Sequence, residues 1–441
     1  MRRIHMTKKR LPALVALAGA VTLVLAGCGG GGGSNAAPED ITFDEDTTAE
    51  ISFSWWGNED RADRFEQVVA LFNEQYPNVE VVRNFNAWGD YWTARNTEAA
   101  GKSLPDVVMM DAGYLGEYAS KGLLADLSPY RDSLLPLDGI TDQVLGSGTV
   151  DDQLVGVPLG TNAWSMMYNK DLLDQYGIDY PTDDMTWDEL DDFILEVNAA
   201  GAASDPKIYG AEDYTGGLPN FIYHLMQSGN AVFEEDGTPA FDEDDVVDYL
   251  DSASSLREDG EFYPVERSVA LSPSGGFLAG EAAIWFNFST TVLQGMTDAG
   301  TENIGMVQPP LEKGEKEHVL APKPSMLLSV AKNSDQQQAA AAFVNFLTTS
   351  PEVAKVFGTS LGTPPTEEGR AAIDQTPADT VNLDYLASVD DELTASYPIL
   401  PAGYGTIEAK WGELHEQLRY GDLTTKQFAQ ELFSEISLVL G

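Results

Sequence analysis

"ISFSWWGNEDRADRFEQVVALFNEQYPNVEVV" (residues 51–82) reads as a strand, a helix and a second strand, and this reading decides the fold class. Ile51, Phe53 and Trp55 alternate with Ser52, Ser54 and Trp56, which is the period of a strand. Phe65, Val69, Phe72 and Tyr76 then recur at intervals of four, three and four, one face of a helix, and Pro77 stops it. "VEVV" (79–82) is again strand-like. Two strands joined through a helix run parallel, so the chain opens with a β-α-β unit.

The same alternation continues outward. "PDVVMMD" (105–111) predicts a buried strand, and "GYLGEYASKG" a helix ending at Gly122. "LVGVP" and "AWSMMY" predict strands, and "NKDLLDQYG" a helix closed by Gly177. Thr186 and Glu189 have the spacing of a capping box, as do Ser334 and Gln337. Ser350 precedes Pro351 at a helix start, and Phe428, Leu432 and Ile436 line a final helix. The class is α/β, without a detectable internal repeat. A chain of 441 residues exceeds the size at which one core stops growing, so two domains are expected.

The amino terminus is a separate matter. Arg2, Arg3, Lys8, Lys9 and Arg10 precede an apolar run from Leu11 to Leu25, closed by "LAGC", the pattern of an export signal. The run is shorter than the roughly 20 apolar residues that span a bilayer. Cys28 is the only cysteine, so no intrachain disulfide forms. Gly29 to Gly33 and the acidic stretch after them cannot bury apolar surface, which makes residues 28–44 a flexible tether after a signal at 1–27.

Charge narrows the partners. With 71 acids against 25 Lys and Arg, the net charge is −46, which opposes nucleic acid and anionic lipid surfaces. "FDEDDVVDYLD" (241–251) lacks the glycine and terminal glutamate of a calcium loop and reads as the acid-rich first turn of a helix. His224, His318 and His415 stand far apart, without paired spacing for zinc, and neither a metal nor a cofactor is expected. "GTSLG" (358–362) follows a helix and precedes Thr363, Pro364 and Pro365, where a hydrolase's nucleophile elbow needs strand then helix.

In open α/β sheets ligands sit beyond the carboxyl ends of strands, and both "WWGNED" and Asp111 fall there. Trp55 continues the apolar face of Ile51 and Phe53, so Trp56 faces the other way, beside Asn58, Glu59 and Asp60. An indole face suits the C–H face of a sugar ring, and carboxylates and amides suit its hydroxyls.

The stretches at 51–81, 105–127 and 154–177, with "FLAGEAAIWFN" (277–287), "AAAAFVNFLTTSPEVAKVFGTSLGTPP" and "WGELHEQLRYGDLTTKQFAQELFSEI", resemble the sugar-binding lipoproteins of ABC importers, relatives of the maltose-binding protein. Ile284 stands where typical members have methionine. The resemblance implies a class II periplasmic-binding-protein fold, two hinged lobes with the ligand between them. It places an amino-terminal lobe at 45–158 and 286–330, and the other at 159–285 and 331–441. Hinge crossings then fall near 157–161, 286–288 and 329–332. It further implies lipidation of Cys28 and an extracytoplasmic, membrane-anchored location. By the same resemblance, ligand contacts are expected from Trp56, Asn58, Asp60, Asp111, Asn162, Trp164, Trp285, Asn287, Tyr404 and Trp411. The implied partners are a sugar of two or more rings and the importer's permease subunits, with a monomer as the working unit. The alternatives are a carbohydrate-sensing binding protein that serves a receptor and, from aromatic walls with paired carboxylates, a glycoside hydrolase.

Overall fold

The computed structural model describes residues 43–440 apart from 45, 235–236, 272–274 and 316. The signal, Cys28 and nearly all of the tether lie outside the described residues. Eleven strands are present among them: β1 Ala49–Trp56, β2 Val79–Asn86, β3 Val107–Met110, β4 Thr149–Val150, β5 Gln153–Leu154, β6 Val157–Asn162, β7 Trp164–Asn169, β8 Tyr209–Ala211, β9 Ala282–Phe288, β10 Ile304–Val307 and β11 Lys323–Val330. They form one sheet in the order β2-β1-β3-β11-β6, a second in the order β10-β7-β9-β8, and the small β4-β5 hairpin. Helices flank both sheets, and each sheet is the centre of one lobe.

In the first sheet β1 runs parallel to β2 and β3, as the opening β-α-β unit requires. β11 is antiparallel to both β3 and β6, so β6 runs the same way as β1. The carboxyl ends of β1, β3 and β6 therefore share one edge with the amino end of β11. Lys323 pairs with Asn162 at that edge. The second sheet presents the start of β7 and the end of β9 to the same side, where Trp164 pairs with Phe288. Only Ala163 separates β6 from β7, so the chain passes from one sheet to the other in a single step.

Local signals account for most elements. Asn58 caps the helix Glu59–Gln75 by accepting from the Arg61 amide at 3.1 Å. The Thr186–Glu189 capping box forms, and Gly177 closes its helix at φ 65°. Asp242 caps the helix Glu243–Ser252, whose first turn carries Glu243, Asp244 and Asp245. Ser334 does not form the expected box. Its hydroxyl donates to Asp106 at 2.6 Å and accepts from the Gln336 amide, and the helix Gln337–Thr349 starts without a side-chain cap.

The lobe boundaries differ from those the resemblance implies. β10 pairs with β7 in the second sheet, so the chain regains the first sheet only at β11 and not at residue 286. The helices Gln337–Thr349 and Pro351–Phe357 pack Phe343, Leu347 and Phe357 into the core of the first sheet, beyond the crossing expected near 329–332. A four-residue strand and an alanine-rich helix carry no signal of which sheet they join, since either sheet can bury them.

Candidate functional site

Trp55 and Trp56 go opposite ways, as strand geometry demands. Trp55 is 1% exposed and packs against Phe53, Phe65 and Phe85 with ring centroids 4.9, 4.7 and 5.7 Å away. Trp56 is half-buried and meets Trp88, Tyr91 and Trp92 at 5.0, 5.5 and 6.0 Å. These three belong to the helix Trp88–Gly101, which the apolar spacing does not announce because its buried face is Tyr91, Trp92 and Arg95. Tyr91 anchors this helix to the sheet by donating to the Met109 carbonyl at 2.7 Å. Trp92 in turn stacks on Tyr114 at 3.6 Å, nearly parallel, and Trp88 is left 46% exposed. The first lobe thus ends in an aromatic wall supported from behind.

A cavity of about 740 Å³ faces this wall. From the first lobe it is lined by Trp88, Asp111, Gly113, Tyr114 and Glu117. Phe288 and Lys323 line it where the sheets meet, and Tyr397, Leu400, Tyr404 and Glu408 close its far side. Asp111 caps the helix Ala112–Ser120, accepting from the Gly113 amide at 2.8 Å through one oxygen. The same helix brings Tyr114 and Glu117 to the cavity. A side chain at Gly116 would put its Cβ 2.8 Å from the Leu400 carbonyl oxygen, so glycine there permits the 397–404 segment to approach. Gly403, at φ 82°, turns the chain into the helix Tyr404–Tyr420.

Electrostatics follow from this crowding. Burial raises the Tyr114 phenol, and Asp111 and Glu117 raise it further. Partial desolvation by the cavity walls also raises the Glu408 carboxyl, although the residue is exposed, with Lys323 drawing it down and Asp111 pushing it up. The Lys323 ammonium sits 4.9 Å from the Phe288 ring centroid and donates to the Pro324 carbonyl at 3.3 Å.

Of the ten side chains that sequence singled out, Asp111 and Tyr404 line this cavity, and Trp56 supports Trp88 from behind. Asn58 is spent on its cap, and the exposed Asp60 pairs with Arg64 at 3.0 Å in the first turn. Asn162 is buried and accepts from Thr290 at 2.6 Å, tying the end of β6 to the chain after β9. Asn287 turns its amide oxygen to the Phe288 amide at 2.8 Å. Trp164 and Trp285 line a second hollow of about 360 Å³ in the other lobe, beside Asp213, Tyr214 and His415. Trp164 is buried and donates to Asn220 at 2.6 Å.

Trp411 lines neither cavity. It is 0% exposed, stacks on Phe221 at 5.2 Å and donates its indole N–H to the Thr215 carbonyl. Seven residues after Tyr404 it lies on the same helix face, but behind that point the face is roofed by the helices Leu218–Gln227 and Thr425–Leu440. Close by, Asp213 accepts from Arg257 at 2.7 Å and pairs with His415 at 3.3 Å. Burial alone would raise this carboxyl, yet His415 and Arg257 hold it far below the usual range.

Trp88, Tyr114, Phe288, Lys323, Tyr397 and Glu408 line the cavity without having been anticipated. Tyr114 was within reach, since it lies in the first turn after Asp111. Lys323 was not, because it begins an antiparallel strand, and the carboxyl-end rule speaks only of strand ends.

The fold recurs in solved structures. One is an extracellular solute-binding protein family 1 from Alicyclobacillus acidocaldarius, 24% identical, covering 89% of this chain and 98% of that one with a TM-score of 0.72. Another is an ABC substrate-binding protein from Listeria monocytogenes in complex with cycloalternan, 21% identical, covering 90% and 100% with a TM-score of 0.71. By sequence, the galactooligosaccharide-binding protein of Bacillus subtilis is 25% identical over 218 residues, 48% of either chain. The chain spans about half the length of the curated relatives it matches. The family model described as bacterial extracellular solute-binding protein matches residues 57–354, from the turn after Trp56 through both sheets to the helices behind the first, and the chain belongs to that family.

Proposed function

We propose that this protein is a lipid-anchored, extracytoplasmic binding protein that captures a sugar of two or more rings between its lobes and delivers it, chemically unchanged, to an ABC importer. The observation that carries this reading is the cavity between the aromatic wall of Trp88 and Tyr114 and the helix that begins at Tyr404. Ring faces cover the apolar faces of pyranoses, and Asp111, Glu117, Glu408 and Lys323 offer partners for hydroxyls. Relatives named for galactooligosaccharide and for cycloalternan support the ligand class.

Capture needs contacts from both lobes. A ligand shifts an open-closed equilibrium only by its difference in affinity for the two states, so a sugar held by one wall alone would not close the cleft. The closed form is the one that docks on the permease. The Cys28 thioether would hold it near that partner, with residues 28–44 as the tether.

A thermal-shift screen of the full chain across mono- and oligosaccharides tests the reading, because ligand bound to the native state raises apparent stability. At least one oligosaccharide should raise the midpoint and be recovered intact by mass. Steady cleavage would favour a glycoside hydrolase, and no response to any sugar would overturn sugar capture. Cys28→Ser should keep binding and lose membrane partition. Retention on membranes after salt and urea washes would overturn the anchor.

A further inference from the structure

The cavity lining holds three carboxylates and one cation, and their partners are unequal. Glu117 is paired with Lys121, so its charge is largely met. Asp111 lines the cavity and uses one oxygen on the Gly113 amide, and no hydrogen bond or ion pair among the described residues engages its other oxygen or Glu408. Lys323 answers neither of them by direct contact. Its ammonium is held over Phe288, lies 5.9 Å from the Tyr397 ring centroid and donates to its neighbour's carbonyl. Asp111 and Glu408 come from opposite lobes and line the same cavity, where Asp111 opposes ionisation of Glu408.

We infer that the cleft selects sugars by charge, taking an amino sugar over its neutral counterpart and rejecting uronic acids, with Asp111 and Glu408 as the specificity-determining side chains. This rests on the sugar-binding reading above. An ammonium between these carboxylates relieves their repulsion on closure, whereas a sugar carboxylate adds to it. The rings of Trp88, Tyr114 and Tyr397 favour the same choice, since a ring face attracts a cation as well as a C–H surface. Ligand charge and lobe closure are then one event: the amine bridges a group from each side.

Calorimetric titration of the full chain with matched disaccharides in the gluco and galacto series tests the inference. Each series compares the 2-amino sugar, the neutral sugar and the uronate at neutral pH and low salt. In whichever series binds, the amino form should bind tighter than the neutral one by about tenfold or more, and the uronate should not be detected. Glu408→Gln and Asp111→Asn, the latter keeping a competent helix cap, should bring the amino-to-neutral ratio toward one. Glu408→Asp should preserve it. Equal affinity of amino and neutral forms, or measurable uronate binding, overturns charge selection and leaves sugar capture standing. Absence of binding in both series overturns charge selection, and sugar capture falls with it only if no sugar of the wider screen binds.

Discussion

The two walls of the cavity are built on opposite plans. On the first lobe an aromatic side chain reaches the surface: Trp88 is half-exposed, and Trp56, Trp92 and Tyr114 pack behind it. On the second lobe the aromatic side chains have sunk inward. Tyr404 is 5% exposed and Trp411 fully buried, while Glu408, between them on the same helix, meets water. The core beneath that helix carries a buried charge, Asp213, held by Arg257 and His415. Aromatic spacing along a chain therefore marks a face and leaves open whether that face is roofed.

Substitutions can break this contrast, and the largest effects belong to the roofed residues. Trp55→Ala and Trp411→Ala should each cost about 3 to 5 kcal/mol in a denaturant melt, since each empties a closed core site. Affinity should fall only as far as the folded fraction does. Selective loss of binding in a stably folded Trp411→Ala chain would mean that the second wall opens in solution.

Trp88→Ala should do the reverse. It removes a half-exposed ring from the wall, so sugar affinity should drop by roughly 1.5 to 3 kcal/mol, about ten- to a hundredfold or more, while the melt moves little. Trp56→Ala should fall between the two, losing stability because Trp56 is half-buried and losing affinity because Trp88 loses its support. A melt and a titration of both variants side by side give the order. Were Trp56→Ala the weaker binder of the pair, the ligand would be reaching past Trp88 to the deeper ring.

The smallest effect belongs to Asp191, in the charged second lobe. Burial pushes its carboxyl up to about 6, against a hydrogen bond donated by Tyr214, and Asp188, Asp192 and Asp213 push the same way as burial. A carboxyl raised on folding binds its proton better in the native state, so the contribution is present at low pH and lost as pH rises through about 6. Asp191→Asn should then stabilise the chain by about 1 kcal/mol at pH 8, allowing for partial exposure, and by nothing measurable near pH 4. An equal gain at both pH values would assign the effect to packing.

Part of this was legible in the residues. The alternation at 51–56 settled that Trp55 is core and Trp56 is not, because side chains on a strand must alternate whatever the rest of the chain does. Caps at Asn58, Thr186 and Gly177 were equally local: each is satisfied by atoms within a few residues, so sequence determines them. The resemblance carried by the quoted motifs reached the family as well. Local rules stop at the question of what covers a face. Asn58 and Asp60 looked available for a ligand until the backbone amide of Arg61 and the side chain of Arg64 took them. Trp411 looked like a wall until two helices from distant parts of the chain roofed it. Lys323 reached the cavity only because an antiparallel strand brings its first residue to an edge where its neighbours bring their last. Partners far along the chain decide burial and charge pairing, and no period or motif around the residue itself contains them.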